Sequence, residues 1–342
     1  MTLESPRPVR EWHGVRPPEF KYDIVAAGQP AVLRGAAAEW PAVRAGRESP
    51  QAIADYLLAF DARAMADTMF GDPSIRGKFF YNEDLSGLNF QRRPQPLAQS
   101  VKELLSLIEH PDPPALYVGA VPAPTTLPGF SRDNALELID PAVVPRLWFS
   151  NRCTVQTHYD LSFNVAVVLA GRRRFTLFPP EQLVNLYVGP LEFTLAGQPI
   201  SMVRLDAPDL ERYPAFHEAW QHAQVAELEP GDALFIPYMW WHHVESLSAF
   251  NVLLNYWWDD VPPWQGAAFD VLLHALMAIR ALPPGRRELW RKIFDHYVFQ
   301  TGGDPVAHLG ERQRGIQGPM SPRMAEHIRA YLVNVLSAGR RK

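Results

Sequence analysis

The chain has 342 residues, a formal net charge of −4 and a hydrophobic share of 47%, which exclude a disordered polypeptide and a strongly basic nucleic-acid-binding protein. Its length suffices for one large domain, or for one domain with a smaller appendage. The single cysteine, Cys153, excludes an intramolecular disulfide and a cysteine-rich zinc site.

The sequence shows neither a secretion signal nor a membrane span. Residues 1–12 are polar, contain two prolines and lack the apolar core of a signal peptide. No stretch approaches the roughly 18 consecutive apolar residues of a transmembrane helix. With the lone cysteine, these features predict a cytoplasmic protein that has no membrane partner and no nucleic-acid partner.

Residues 1–114 are expected to form a segment of helices and strands that packs on a later core. We interpret the first twenty residues as a loose arm and Pro30–Gly35 as a short buried strand. The spacing of apolar residues predicts helices at Pro50–Phe60, capped by Ser49, and at Val101–Ile108.

Residues 115–260 consist of short β-rich runs bounded by glycine, proline or polar residues. The runs are ALYVGAV, RLWFSN, TVQTHYD, NVAVVLAG, RRFTLFPP, ALFIPYMWWHHVES and NVLLNYWW. The segment AGRRR between two of them is interpreted as a tight hairpin. Many strands without regular helices between them predict an all-β sandwich or barrel core.

Residues 261–342 carry three helical patterns, at Ala267–Leu282, at Arg286–Phe299, and from Ser321-Pro322 to Gly339. Apolar residues of the last pattern recur at three- and four-residue spacings and make one stripe: Met324, Ile328, Tyr331, Leu332 and Val335. Such an appendage buries its stripe either on its own chain or on a second copy. We expect a homodimer through these helices, with packing on the same chain as the alternative.

His158, Asp160 and the distant pair His242-His243 form a candidate metal constellation. Side chains at i and i+2 of a strand point to the same face, so the His158 imidazole and the Asp160 carboxylate project together. One histidine, one carboxylate and a distant histidine make the facial triad of non-haem Fe(II) oxygenases. Alternation lets one of His242 and His243 face the interior, and periodicity does not decide which. The alternative is an aromatic core cluster with one hydrogen-bonded histidine.

From Ala115 to Trp257 the sequence resembles the JmjC, cupin-like Fe(II)- and 2-oxoglutarate-dependent oxygenases, in particular the asparaginyl hydroxylase that modifies hypoxia-inducible factor. The motifs that carry the resemblance are HYD at His158, GRRRFTLFPPEQ from Gly171, GDALFIPYMWWHHVESL from Gly231, NYWW from Asn255, and the earlier PAVLRGAAAEWPA. The resemblance implies a mainly β fold, a double-stranded β-helix or jelly-roll with surrounding helices. It also assigns the metal to His158, Asp160 and His242, with His243 facing away.

The resemblance further implies which residues hold 2-oxoglutarate. Family members hold its distal carboxylate with a basic residue, usually lysine, on the strand after the His-x-Asp motif, and Arg173 occupies that position here. A guanidinium grips a carboxylate in bidentate fashion, which makes the replacement chemically sound. Tyr117 matches a tyrosine whose hydroxyl supports the same carboxylate. The alternative for Arg173 is a place in a solvated arginine hairpin.

Further matches concern the surroundings of the metal. Asn164 and Asn255 match two asparagines near the metal and co-substrate, and ordinary strand hydrogen bonding is their alternative role. A threonine that often precedes the first ligand by three residues is Val155 here, so its contact with 2-oxoglutarate is missing or moved to Thr157. Four aromatic residues are expected in the apolar shell of the site or in the ordinary core: Trp148, Phe163, Trp240 and Trp241.

The implied activity is hydroxylation of a C–H bond with Fe(II), 2-oxoglutarate and dioxygen. The resemblance favours a protein or peptide side chain as substrate, and a small-molecule metabolite is the alternative. Demethylation also stays open, because a hydroxylated N-methyl group falls apart by itself. A third possibility is a non-catalytic cupin that binds a metal or ligand, which the intact triad disfavours.

Overall fold

The computed structural model describes residues 4–195 and 197–337. Contacts divide the chain into two compact units, Met1–Trp258 and Asp259–Lys342. Within the described residues, none of the helices combines the length and the hydrophobicity that a membrane span requires.

The first unit is built from two β-sheets. Its strands are β1 (Arg7–Pro8), β2 (Arg10–His13), β3 (Ala31–Arg34), β4 (Met65–Gly71), β5 (Phe90–Pro96), β6 (Ala115–Pro122), β7 (Pro145–Ser150), β8 (Cys153–His158), β9 (Phe163–Ala170), β10 (Arg173–Phe178), β11 (Gln224–Leu228), β12 (Ala233–Ile236), β13 (Trp241–Ser246) and β14 (Asn251–Trp258). The smaller sheet has the order β1-β11-β10-β13-β8, and the larger has the order β2-β3-β12-β9-β14-β7-β6-β4-β5. Successive strands from β8 onward alternate between the sheets, apart from β10 and β11, which are neighbours in one sheet. This arrangement confirms the predicted mainly β jelly-roll core.

Short helices surround these sheets. They are α1 (Pro17–Glu19), a π-helix (Phe20–Val25), α2 (Pro41–Glu48), α3 (Pro50–Leu58), α4 (Leu97–Ser106), α5 (Ala123–Thr126), α6 (Phe130–Asp133), α7 (Phe216–Gln221) and 3₁₀ turns at Pro73–Ile75 and Pro180–Val184. The predicted cap of α3 is confirmed, because the Ser49 hydroxyl accepts a hydrogen bond from the backbone N–H of Ala52. Helix α4 begins four residues before the predicted Val101, directly after Pro96, and ends at Ser106 rather than Ile108.

The predicted AGRRR hairpin is wrong. Strand β9 pairs with β12 and β14, whereas β10 pairs with β11 and β13 in the other sheet. The chain therefore crosses between sheets at Gly171, where φ is +74° and an added Cβ would lie 2.4 Å from the Asn251 side-chain oxygen. Strand β9 is buried along almost its whole length, which suits a strand covered on both faces.

Two further expectations need correction. The run ALFIPYMWWHHVES is two strands in different sheets, β12 and β13, separated by a turn in which Met239 adopts φ +61°. Residues 4–20 are not the predicted loose arm, because β1 pairs in parallel with β11 and β2 in parallel with β3. Their mostly exposed side chains give no hydrophobic pattern, so the pairing was invisible in the sequence.

The second unit contains the three predicted helices, α8 (Ala268–Ala278), α9 (Pro284–Tyr297) and α10 (Pro322–Ser337), with 3₁₀ turns at Pro263–Gln265, Glu311–Gln313 and Gly315–Gln317. The predicted helix end at Gly339 lies outside the described residues. None of the residues in these three helices is buried. Large apolar side chains such as Met277 (67% exposed) and Tyr331 (62%) are solvent-accessible.

Candidate metal centre

A cavity in the first unit is lined by side chains from both sheets. The smaller sheet contributes residues of β8, β10 and β13, and the larger contributes residues of β4–β7, β9 and β14. Its polar lining residues are Gln156, His158, Asp160, Asn164, Arg173, Gln198, His242 and Asn255, and the remainder are apolar or aromatic. Polar side chains that converge in an apolar cavity are typical of a ligand-binding or active site.

His158, Asp160 and His242 come together in this cavity, as the sequence predicts. His158 ends β8 and lies opposite His242 of β13, and the potential ligand atoms of the three residues lie within 4.8 Å of one another. Asp160 stands just after the strand rather than in it. Its Oδ2 is 3.6 Å from Nε2 of His242. The convergence therefore depends on the strand end and not on alternation within one strand.

Backbone contacts orient both imidazoles toward the same point. Nδ1 of His158 lies 2.8 Å from the carbonyl oxygen of Gln156, and Nδ1 of His242 lies 3.0 Å from that of Trp240. A carbonyl accepts, so each Nδ1 carries a proton, and in the neutral ring the free lone pair then belongs to Nε2. Burial lowers the pKa of His242, with a further contribution from His158. His242 is therefore neutral at neutral pH, which is the form that binds a metal.

His243 is excluded from the constellation. Its ring is buried, and Nδ1 lies 3.2 Å from the Thr157 hydroxyl. Burial lowers the pKa of His243 to about 3, so it is a neutral core histidine. Thr157 is fully buried beside it and does not line the cavity, since it neighbours His158 in the strand and points to the other face. The structure thus contradicts the predicted contact of Thr157 with the co-substrate.

The donor set fits a divalent iron ion. Two neutral imidazole nitrogens and one carboxylate oxygen are the facial triad of non-haem Fe(II) proteins. All three residues line the cavity, together with the other polar side chains named above. His158, Asp160 and His242 would hold the ion and leave coordination positions for other ligands.

Arg173 is a buried cation in the same cavity. Its side chain is 1% exposed, and its Nε and Nη2 atoms have no hydrogen-bond partner among the described residues. Burial lowers its pKa, yet an arginine stays protonated in proteins. A buried charge without a counter-ion is strongly unfavourable, so the site calls for an anionic ligand. Solvent exposure, the alternative environment considered for Arg173, is found instead at the neighbouring Arg174, which pairs with Glu227 and Glu245.

Tyr117 of β6 also lines the cavity. Its pKa is raised chiefly by burial, so the hydroxyl keeps its proton and can donate to a carboxylate. Val155 lines the same cavity, and its side chain offers no hydrogen bond. Tyr117 and Arg173 thus combine a neutral donor with a cationic donor.

The two asparagines take part in a network around Asp160. Asn164 Nδ2 donates to Asp160 Oδ2 at 3.2 Å, and Asn255 Nδ2 donates to Asn164 Oδ1 at 3.3 Å. Trp257 Nε1 donates to the same Asp160 oxygen at 3.0 Å. Trp148 Nε1 donates to Asn255 Oδ1 at 2.7 Å. Sequence reasoning missed both indole donors, because their acceptors lie 107 and 97 positions away along the chain.

The expected aromatic shell is mostly core. Of the four aromatic residues named from the sequence, Trp148 alone lines the cavity. Trp240 and Trp241 belong to two separate buried clusters, and Phe163 packs against a third. Trp257, which was not among those four, completes the aromatic wall next to Asp160.

Comparison with known proteins agrees with this geometry. The cupin-like domain matches residues 17–263. Mouse tRNA wybutosine-synthesizing protein 5 is 38% identical over 106 residues, 31% of this chain and 30% of that protein. Human HSPB1-associated protein 1 is 38% identical over 94 residues, 28% and 19% of the two chains. Arabidopsis thaliana lysine-specific demethylase JMJ31 is 36% identical over 104 residues, 30% and 18%.

Each of these three alignments covers less than a third of the relative's length. The match to the family, in contrast, takes in all the strands from β3 to β14 and every residue of the candidate metal centre. The chain belongs to the cupin-like domain family of JmjC type.

Proposed function

We propose that this protein is an Fe(II)- and 2-oxoglutarate-dependent dioxygenase that hydroxylates a C–H bond, with a protein or peptide side chain as its substrate. The observation that carries the proposal is the cavity that unites a His–Asp–His triad with the unpartnered cation of Arg173. A metal site alone is common to many cupins. The buried guanidinium also requires an anionic partner, and one carboxylate of a dicarboxylate co-substrate can pair with it.

The residues have separate roles in this proposal. His158, Asp160 and His242 hold the iron, and Arg173 with Tyr117 holds the distal carboxylate of 2-oxoglutarate. Asn164 and Asn255 support the Asp160 carboxylate through the hydrogen bonds given above. When bound, iron and 2-oxoglutarate supply the oxidising power for hydroxylation with dioxygen, and succinate and CO₂ are released.

The apolar wall of the cavity protects such chemistry. Phe175, Val244 and Leu253 line it beside the polar groups. Apolar side chains exclude bulk water, which strengthens every charge interaction in the site and limits side reactions. The chain therefore supplies placement and a low dielectric, while the co-substrate supplies the oxidation.

The substrate class is inferred from the relatives and from the charge of the chain. One relative's name links that protein to tRNA wybutosine synthesis, and another's to lysine demethylation. The net charge of −4 gives this chain no general attraction for nucleic acid. We therefore place a protein or peptide first and a small metabolite second. The narrower likeness to an asparaginyl hydroxylase stays a prediction.

A succinate-release assay tests this function. The purified protein is incubated with iron, ascorbate and 2-oxoglutarate, and receives peptide, RNA or metabolite fractions of a cell lysate in separate reactions. We expect one fraction, the peptides, to raise succinate release, and mass spectrometry to show a product heavier by one oxygen. Asp160→Ala is the matched control and should release none. Stimulation by RNA alone would move the substrate class, and no stimulation by any fraction would contradict an oxygenase of these substrates.

We also propose that the protein is a homodimer through its C-terminal helices. The apolar stripe of α10 includes Tyr331, Leu332 and Val335, which are 62%, 42% and 48% exposed. Helices α8 and α9 add exposed apolar side chains such as Val271 and Leu289. Exposed apolar surface of this kind is typical of subunit interfaces. Two-fold symmetry would set each stripe against its equivalent.

A further inference from the structure

Four residues form a continuous chain of hydrogen bonds that ends on the candidate metal ligand. Trp148 donates to Asn255, Asn255 donates to Asn164, and Asn164 donates to Asp160, over distances of 2.7, 3.3 and 3.2 Å. We name this chain the indole–amide relay. Asn164 and Asn255 are buried, so neither amide exchanges these partners for bulk water.

The two ends of the relay determine its direction. An amide side chain can be turned over, so that its oxygen and nitrogen exchange places. An indole N–H can only donate, whereas an ionised carboxylate can only accept. Trp148 therefore requires the oxygen of Asn255 on its side, which turns the nitrogen of Asn255 to Asn164. The nitrogen of Asn164 is then left to point at Asp160.

The position of the Trp148 indole is itself closely determined. A Cβ added at Gly119 would lie 1.9 Å from Cε3 of Trp148, so the ring occupies space that only glycine leaves free. The ring also contacts Trp257 edge-on, with centroids 5.7 Å apart. Trp257 donates to the same oxygen of Asp160 that accepts from Asn164. Asp160 Oδ2 thus receives two N–H groups in a geometry determined by packed aromatic rings.

We propose that Trp148 is a positioning residue of the metal centre, which acts through Asn255 and Asn164 to orient the Asp160 carboxylate. This inference rests on the proposed metal site. With both amides held in one orientation, Asp160 keeps one rotamer and presents the same lone pairs to the ion. Without the indole donor, either amide can turn over. An Asn164 that turned its oxygen to Asp160 would repel the carboxylate and weaken its hold on the metal.

The substitution Trp148→Phe tests the proposal, because it keeps an aromatic ring and removes the N–H. Binding of Co(II) to the full-length, metal-free protein is measured from the visible absorption of the bound ion, which needs no turnover. Removal of a direct outer-shell partner weakens metal binding by about ten- to a hundredfold. Because two amide side chains separate Trp148 from Asp160, we expect Co(II) affinity to fall by about three- to tenfold. The control is Trp220→Phe, which removes an indole donor bonded to the Glu4 carbonyl outside the cavity and should change nothing.

A double-substitution cycle separates orientation from packing. Asn255→Leu cuts the relay in the middle and should weaken Co(II) binding by itself. In the Asn255→Leu background, Trp148→Phe should not weaken Co(II) binding further, because the hydrogen bonds that connect Trp148 to Asp160 are already broken. Additive losses would show that Trp148 acts by packing alone and would overturn the proposal. If Trp148→Phe does not fold, unchanged Co(II) binding by Asn255→Leu overturns it equally.

The outcome also separates this inference from the proposed function. Wild-type protein that binds no Co(II) would refute the metal centre itself, and the role of the relay with it. If Trp148→Phe and Asn255→Leu both bind Co(II) as tightly as the wild type, the role of the relay is refuted and the metal centre is not.

Discussion

The cavity of the first unit contains a charged side chain that is buried, whereas the helices of the second unit contain apolar side chains that are exposed. In the cavity a buried cation, Arg173, has no anionic partner in the part of the chain that the structure describes. In the second unit apolar side chains such as Met277 and Tyr331 lack an apolar cover. The first defect calls for a small charged ligand, and the second calls for a protein surface. Side chains whose surroundings do not match their charge or polarity thus indicate what kind of partner each region binds.

The largest effect is expected at the metal ligands, where two adjacent histidines differ in role. His242→Ala should abolish iron binding, because it removes one of three ligands. His243→Ala should largely spare it, because His243 bonds to Thr157 away from the cavity. Iron content after reconstitution, measured by a colorimetric assay, compares the two variants. Loss of iron in His243→Ala with retention in His242→Ala would reverse the assignment.

The next effect concerns the two neighbouring arginines. Arg173→Ala should weaken binding of 2-oxoglutarate about ten- to a hundredfold, since a hydrogen bond to a charged group contributes roughly 1.5–3 kcal/mol and 1.4 kcal/mol is a factor of ten. Its iron affinity should stay nearly unchanged. Arg174→Ala is the matched control, because Arg174 is paired at the surface with Glu227. Calorimetric titration with 2-oxoglutarate gives both affinities, and a wild-type value for Arg173→Ala would rule the assignment out.

The smallest numerical change is the twofold mass difference between dimer and monomer. Light scattering at low micromolar concentration should give twice the mass of one chain for the wild type. The double variant Ile328→Glu with Leu332→Glu should give the single-chain mass, since charges are costly in an apolar interface. The control is Arg323→Glu, a substitution at an exposed position of the same helix that should leave the mass of the dimer unchanged. A single-chain mass for the wild type would end the proposal of a dimer.

The sequence revealed the elements whose side chains report their surroundings. The strands β7, β9 and β14 were visible as short β-rich runs, and the cap of α3 was visible at Ser49. Strand β5 was not, because it contains Pro94 and Pro96 and lies exposed at the edge of its sheet. Strand pairing over long distances determines such elements, and the local pattern does not.

The candidate site divides in the same way. Short-range spacing and family motifs identified His158, Asp160 and Arg173, since their chemistry is written in the residue type. The contribution of Trp148 was invisible, because its bond to Asn255 joins two residues 107 positions apart. Thr157 was misplaced because its neighbour His158 occupies the cavity face of the same strand. Networks between distant strands therefore need the fold before they can be seen.

The central claim is that one cavity holds a metal and a dicarboxylate together. The most direct test adds 2-oxoglutarate to the Fe(II)-loaded wild-type protein without oxygen and records the visible spectrum, where a charge-transfer band reports a keto acid chelated to iron. The proposed site predicts a saturable band that is absent without iron and absent in Asp160→Ala. Protein that binds iron but gives no band at any 2-oxoglutarate concentration would contradict the claim.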